Sequence, residues 1–277
     1  MLMSHSEFSV RSANPDDVPR LVDIDVTSFH SVYADYPGGT NALRDELSEK
    51  FAHRLELLGG NWISVLEHNG QLAGLMMSCP TEKTPESFVS WEDTTDNGTL
   101  DTTYSPDGKN AYVVTLSVLP QASRAKEMLF VHQVGQGIKM GIEQYFFESR
   151  VPGLRAWTKR EANRSGLDFI SLEREQIHDF AEQYFQFTRT INGEEVPFDN
   201  LLRLYKRVGC ELLKLVPDAY QDAPSMNYGV LCTYNLTDRL GEILPSKVAR
   251  LKSARHAAGT LIRLAAHSEH LSHKMLE

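Results

Sequence analysis

The sequence predicts an α/β fold built on a mixed, α+β-type sheet, and three observations lead there. Short segments with strand-like alternation or β-branched runs are interspersed with longer segments of helical periodicity. Two strand segments, "NWISVLE" and "QLAGLMMSCP", flank Asn69-Gly70, a strong short-range sign of an antiparallel hairpin. Other strand segments are separated by helices of crossover length. Hairpins mixed with crossovers give a mixed sheet rather than a doubly wound parallel one.

Taken in order, "FSVRSA" alternates and reads as the first strand. Asn14 supplies an N-cap, Pro15 suits the first helical position, and Asp16 and Asp17 complement the helix dipole. An amphipathic helix runs on to Phe29, and a second covers "ALRDELSEKFAHRLELL" up to Gly59-Gly60. After the hairpin, residues 81–110 are rich in Thr, Asp, Asn, Gly and Pro and read as a long excursion. "NAYVVTLSVLP" is a buried strand. Ser123 to Glu148 reads as a helix, with Met128, Leu129, Val131, Val134, Ile138, Ile142 and Tyr145 on its apolar side. "GLRAWT" reads as a short strand, and "LDFISLEREQIHDFAEQYFQ" as largely helical. "FDNLLRLYKRVG" is a helix stopped at Gly209. "CELLKLVPDAY" and "SMNYGVLCTYNL" are the last strands, and a helix-forming tail follows from Pro245 to about His273.

The 277 residues carry a formal charge of −9, with apolar and charged fractions of 41% and 23%, as in an ordinary globular protein. The negative charge argues against nonspecific nucleic-acid binding. Cys79, Cys210 and Cys232 are far apart and lack C-x-x-C spacing, which points to free thiols in a reducing compartment. No apolar run reaches the roughly 20 residues of a membrane span. The N-terminus lacks the basic start and apolar stretch of a signal peptide, so the cytoplasm is the expected compartment.

"TLSVLPQASRAKEMLF" (115–130) runs an apolar strand into a turn and then a helix, the place where backbone N–H groups could hold a phosphate. Such turns normally carry glycine, so that the backbone can come close. This one reads Gln121, Ala122, Ser123, Arg124, Ala125, Lys126.

The element order, together with "FSVRSANPDDVPRLVDID", "ISVLEHNGQLAGLMM", "VVTLSVLP" and "LLRLYKRVGCELL", resembles the GNAT acyltransferase superfamily over roughly residues 8–236. "AYVVTLSVLP", "FDNLLRLYKRVGCELLKLVPDAY" and "SMNYGVLCTYN" bring it nearest the subgroup of polyketide-synthase loading domains and biosynthetic acyltransferases. The resemblance implies a domain at 1–240 with extra helices, followed by a helical extension at 241–277. It also implies fourth and fifth strands, Ala111–Leu119 and Leu154–Thr158, that splay so that a pantetheine arm pairs as a surrogate strand. Leu116, Ser117 and Val118 would form that ladder, and Gln121, Ser123, Arg124, Ala125 and Lys126 would hold the pyrophosphate.

The family's tyrosine, acid for the leaving thiolate, matches Tyr205; the alternative is an aromatic packing its helix. A threonine that contacts the reacting carbonyl in polyketide-type relatives matches Thr158, which reads equally as a β-favoured residue at a strand end. Those relatives place a histidine where this chain has Leu204-Tyr205, and an arginine where it has Gln221. Both departures speak against malonyl decarboxylation. For a general base, Asp25, His30, Glu161, His178 and Glu211 are candidates by type alone. His178 stands out slightly for its neighbours Tyr184 and Phe185.

Several patterns are decoys. "GQGIKMG" (135–141) has the glycines of a dinucleotide loop but follows no strand, and helix–sheet packing explains it. His267, His270 and His273 are poorly aligned for chelation on one helix face and lack supporting ligands, so no metal is expected. A serine-hydrolase elbow is missing. The tail's Lys247, Arg250, Lys252, Arg255, Arg263 and Lys274 could meet an acidic carrier protein or water. Leu251, Ala254, Leu261, Leu264 and Leu271 could pack on the body or pair with a second copy as a homodimer.

The expected function is transfer of an acyl group, possibly fatty, from acyl-CoA or an acyl carrier protein to an amine of a peptide, amino acid or polyamine. The excursion and the helices at 40–58 and 166–187 would wall a lipid tunnel. The rivals are a loading-type malonyl decarboxylase and acetyl S-transferase, and a degenerate binding module without catalysis.

Overall fold

The computed structural model describes residues 7–237, 252–267 and 271–273. Its strands are β1 (Phe8–Ser12), β2 (Ile63–His68), β3 (Gln71–Thr81), β4 (Asn110–Val118), β5 (Gln144–Arg150), β6 (Thr188–Ile191), β7 (Glu194–Pro197), β8 (Glu211–Val216) and β9 (Gly229–Asn235). Its helices are α1 (Val18–Ser28), α2 (Gly39–Leu58), α3 (Trp91–Thr95), α4 (Lys126–Met140), α5 (Leu154–Arg164), α6 (Arg174–Gln186), α7 (Asn200–Arg207) and α8 (Lys252–Ala265). Seven strands form a mixed sheet in the order β1-β2-β3-β4-β5-β9-β8, and β6 and β7 form a separate hairpin. The chain divides into two compact units, Met1–Phe146 with Asn235–Glu277, and Phe147–Tyr234. No helix among the described residues is long and apolar enough to cross a membrane.

In the first unit β1 to β4 form an antiparallel meander. The β2–β3 turn has Asn69 at φ +50° and Gly70 at φ +76°, the paired positive angles that an Asn-Gly hairpin turn needs. Asn14 caps as expected: its side chain accepts from Asp16 N, and Asp17 in return accepts from Asn14 N at 2.8 Å. Asp17 does more than complement a dipole, because it also holds Arg11 at 2.7 Å. Phe51, Leu21, Ile24, Ile63, Leu75 and Met77 form the packed interior.

The expected helix from Ser123 to Glu148 is two elements. Residues 120–125 coil as a 3-10 turn, and α4 stops at Gly141, which takes the left-handed conformation at φ +83°. "QYFFESR" is then a strand, β5, with its five central residues buried. The second departure is "GLRAWT". It lies in α5, because its buried Leu154, Trp157, Thr158 and Ala162 follow helical spacing. The fifth strand is therefore not Leu154–Thr158. The third is "TINGEE", a hairpin that turns at Asn192 and Gly193 (φ +54° and +89°), where no strands were expected.

Within the second unit, Trp157 sits among Phe180, Tyr184 and Phe187, with ring centroids 5.4–6.3 Å apart. Tyr184 Oη donates to Asp199 at 2.8 Å, and Asp199 also caps α7 by accepting from Leu201 N. One carboxylate thus ties α6 to the start of α7. Cys210 and Cys232 here, like Cys79 in the first unit, are buried and not joined in a disulfide.

The "GQGIKMG" glycines serve packing in two directions. Gly137 lies against the Tyr145 ring of β5, which is the expected helix–sheet contact. Gly135 instead faces Gly259 of α8, and a Cβ on Gly135 would meet the Gly259 carbonyl at 2.7 Å. The faces of α8 also differ from expectation. Ile262 and Ala266 are buried, whereas Leu261 and Leu264 are 67% and 62% exposed and Leu271 is also exposed. Lys247, Arg250, Leu251, His270 and Lys274 lie outside the described residues, as do the side chains of Lys252 and Ala254. His273 faces Glu127, with Nδ1 3.0 Å from the carboxylate.

Arg263 of α8 spans the contact. It donates to Gln136 Oε1 at 2.9 Å, to Ser12 Oγ at 3.2 Å and to His132 Nε2 at 3.0 Å. A guanidinium can only donate, so His132 Nε2 accepts and the ring proton sits on Nδ1, which donates to Ser64 Oγ at 2.6 Å. Burial first, and then the Arg263 charge, pull the His132 pKa down to about 3.

Two outcomes follow from this contact. Gly259→Ala should destabilise the protein by about 1–3 kcal/mol, because the methyl group meets the Gly135 carbonyl at a close helix crossing; calorimetry and limited proteolysis of α8 check it. His132 takes up its proton only on unfolding as pH falls from about 6.5 toward about 3, so it makes stability drop across that window. A His132→Gln variant should show a shallower decline of Tm over the same range than the parent.

Candidate functional site

The β4 strand sets the geometry. On one side it pairs with β3, but the register jumps between Met77↔Thr115 and Ser78↔Val113, so Val114 has no counterpart on β3. That is a β-bulge, which bends its strand and raises the local twist. On the other side β4 runs parallel to β5 at Asn110, Ala111 and Tyr112, opposite Gln144, Tyr145 and Phe146. Beyond Tyr112 the strand continues through Leu116, Ser117 and Val118, held by Met76, Leu75 and Gly74 of β3. One group at the bulge is already used: Trp91 Nε1 of α3 donates to the Val114 carbonyl at 3.1 Å.

The turn after β4 differs from a glycine-rich cradle. In a 3-10 helix each N–H bonds back to the carbonyl three residues earlier. Pro120 has no N–H, and Ala122 N donates to Leu119 O at 2.9 Å. The turn therefore consumes its own amides from Ala122 onward, and Gln121 offers the first uncommitted position. Gln121, Ser123 and Arg124 are exposed, Ala125 is buried and Lys126 is half-buried. Arg124 is engaged locally, paired with Glu7 and stacked over the Phe8 ring at 4.9 Å.

Of the candidate bases, the structure distinguishes Asp25 of α1. It is 4% exposed and accepts from Tyr33 Oη at 2.8 Å, Thr115 Oγ1 at 3.2 Å and Ser117 Oγ at 3.4 Å. Burial raises its pKa, and the three hydroxyls and Arg54 oppose that rise. Arg54 of α2 is equally buried and donates through Nε to the Gly98 carbonyl at 2.5 Å. The turn around it, Asp96 to Leu100, contains four residues at positive φ, including the fully buried Leu100 at +71°. A Cβ on Gly98 would collide with the Arg54 guanidinium.

The second unit holds the three residues expected to be catalytic. Tyr205 is on α7, 7% exposed, with its ring edge-on to Phe147 at 4.7 Å. Burial pushes its pKa up, while a hydrogen bond with Ser149 and the charge of Arg150 act the other way. Thr158 is fully buried within α5, not at a strand end, and its hydroxyl is left without a hydrogen-bond partner. His178 on α6 is half-buried and stacks on Tyr228, with Nδ1 3.4 Å from Tyr228 Oη. The remaining base candidates lie in solvated settings: His30 and Glu211 are exposed, and Glu161 is paired with Arg160 and Arg164. Gln221 is exposed. A guanidinium comes instead from Arg150 at the end of β5, 3.7 Å from the buried Asp222.

Sequence reasoning passed over Arg54, Trp91 and Arg150. Arg54 sits four residues before the end of an otherwise amphipathic helix and looks like a solvated charge. Only its occurrence at a core-facing spacing with Leu47, Phe51, Leu55 and Leu58 hinted otherwise. A cleft of about 470 Å³ in the excursion is lined by Lys83, Glu92, Asp93, Asp96, Asn97, Thr102 and Thr103, a polar surface unsuited to an alkyl chain.

No protein-family model matches the chain, and no curated protein sequence matches it. Solved structures do. The loading GNATL domain of CurA from Lyngbya majuscula superposes with a TM-score of 0.57 at 14% identity, over 83% of this chain and 98% of that one. The GphF GNAT-like decarboxylase, solved in complex with isobutyryl-CoA, gives 0.54 at 18% identity, over 82% and 98%. With its bulged β4, mixed seven-stranded sheet and these matches, the chain has the GNAT fold, a fold that handles acyl-CoA in such relatives.

Proposed function

We propose that the chain is an enzyme that transfers an acyl group carried as a pantetheine thioester. The observation that carries this reading is the superposition on a loading GNATL domain and on a GNAT-like decarboxylase solved with isobutyryl-CoA. The amides of a pantetheine arm can pair with strand backbone as an added strand does, and the bulged β4 is the strand proposed to receive them. Tyr205 protonates the departing thiolate, a step suited to a buried phenol that keeps its proton. In the same unit as Tyr205 the buried Thr158 hydroxyl has no hydrogen-bond partner, and it is the second polar side chain assigned to this step.

The turn at 120–125 bears on the donor. With its amides bonded internally and Arg124 paired to Glu7, it offers little to a pyrophosphate. A carrier-borne phosphopantetheine, which has one phosphate, demands less of it. This supports an acyl carrier protein as donor over free acyl-CoA.

Two acceptors are in contention. Loading-type chemistry, in which a malonyl thioester is decarboxylated and acetyl passes to a carrier thiol, is supported by the two superposing structures, one a loading domain and one a decarboxylase. Arg150 also supplies a guanidinium in the same unit as Tyr205. Transfer to an amine of a peptide, amino acid or polyamine is supported by the residue departures, Leu204-Tyr205 in place of a histidine and exposed Gln221 in place of an arginine. The comparisons weigh toward the loading-type reaction.

Release of CO2 from malonyl-CoA or malonyl carrier protein, followed by mass spectrometry, decides between them: acylated amine with no CO2 selects the amine reading. Loss of both products would sink the enzymatic reading and leave a binding module. Tyr205→Phe should lower kcat by about 10²-fold or more with little change in donor KM. Because burial raises the Tyr205 pKa, kcat should show no fall on the alkaline side up to about pH 10. Matched acyl-CoA and acyl-carrier donors should favour the carrier in kcat/KM.

A further inference from the structure

Asp25 cannot be explained as half of a simple ion pair. A carboxylate taken out of water needs donors in exchange, and a buried arginine is the obvious one. Yet the Nε of the nearby Arg54 is directed at the Gly98 carbonyl, while Asp25 is held by three hydroxyls drawn from two segments. Tyr33 comes from the α1–α2 connection and binds Oδ2. Thr115 and Ser117 come from β4, as alternate residues beside the Val114 bulge, and both bind Oδ1. Their own oxygens are 3.3 Å apart.

Access differs within this group. Asp25 and Ser117 are buried, whereas Thr115 is half-buried, so of the two β4 residues that hold Asp25 it is the more exposed. A threonine hydroxyl that donates to a carboxylate keeps its lone pairs free to accept. The geometry offers a two-step proton path, from the Thr115 hydroxyl on β4 to the carboxylate behind it.

We propose that Thr115 Oγ1 takes the proton of the attacking nucleophile, an amine N–H or thiol S–H, while its own proton passes to Asp25 Oδ1. The inference rests on the acyl-transfer reading above. Thr115 is then a catalytic residue, and Asp25 is the positioning residue that orients its hydroxyl and receives the charge. The nucleophile's lone pair forms the new bond to the thioester carbonyl carbon, and its proton moves to Thr115 as the Thr115 proton moves to Asp25. Collapse of the tetrahedral intermediate breaks the C–S bond, the thiolate is protonated on leaving, and Asp25 returns its proton through Thr115 to water.

The surroundings suit the role. The groups that face Asp25 are Tyr33, Arg54, Thr115 and Ser117, with Cys79 of β3 beside Arg54 and Glu46 acting on Tyr33. Cys79 is pushed up to about 12 and Tyr33 is raised further, both chiefly by burial, so both stay neutral. The charges that remain are Arg54 and Asp25, with Glu46 beside Tyr33. The upward shift of Asp25 brings a carboxylate closer to the pH at which a base must work. Activity should therefore rise with pH as Asp25 loses its proton.

The test uses the full chain with acetyl carrier protein and acetyl-CoA as donors and, separately, a primary amine and pantetheine thiol as acceptors, following kcat/KM across about pH 5 to 10. Thr115→Val should lose about 10²-fold in kcat/KM and the ascending acid limb, with donor KM unchanged. Thr115→Ser should recover most of the rate and the limb. Asp25→Asn should lose the same limb; if it does not fold, the Thr115 pair decides alone. An active parent whose acid limb survives in Thr115→Val overturns the proposal and leaves Asp25 as structural. A parent that acetylates neither acceptor overturns the acyl-transfer reading, and this inference with it.

Discussion

The bulge in β4 is the constraint on which the rest depends: Val114 has no counterpart on β3. Backbone N–H and C=O groups are strong hydrogen-bonding groups, and one displaced from its ladder must be satisfied by something else. An extra residue on one strand also bends it and raises its local twist. The chain itself takes up the Val114 carbonyl through the indole of Trp91.

The same strand organises the polar interior. Thr115 and Ser117 stand on β4 because alternate residues share a face, and that face meets α1 and its Asp25. Arg54 cannot be read apart from Gly98, nor Gly98 apart from the run of left-handed residues that brings its carbonyl inward. Charge, turn and strand are therefore ordered together, although they come from sequence segments 25–33, 54, 96–100 and 115–117.

Local signals made most of the fold legible. Asn14 and Pro15 marked the start of the first helical segment, Asn69-Gly70 marked the hairpin, and Gly59 and Gly209 marked helix ends. The misses have separate local causes. Ile142 and Tyr145 continued a helical stripe past Gly141, and so hid both the stop and β5. Trp157-Thr158 looked β-favoured, although Leu154, Trp157, Thr158 and Ala162 keep a helical beat. Asn192-Gly193 carried the same signal that was read correctly at Asn69-Gly70, but its flanks are exposed and charged rather than apolar. For the site, residue type could nominate Asp25 and no more. Its hydroxyl partners on β4 are 90 and 92 residues away, and only the folded chain brings them together.

The grip of Arg54 on the Gly98 carbonyl has a consequence for motion. Long loops beside active sites often serve as lids that open and close with each turnover. Lifting the 96–100 turn would leave a buried guanidinium without its acceptor, at a cost of several kcal/mol. It would also strip the indole of Trp91 from the Val114 carbonyl. The excursion is thus tied to the interior at two points, and opening it carries the cost of both.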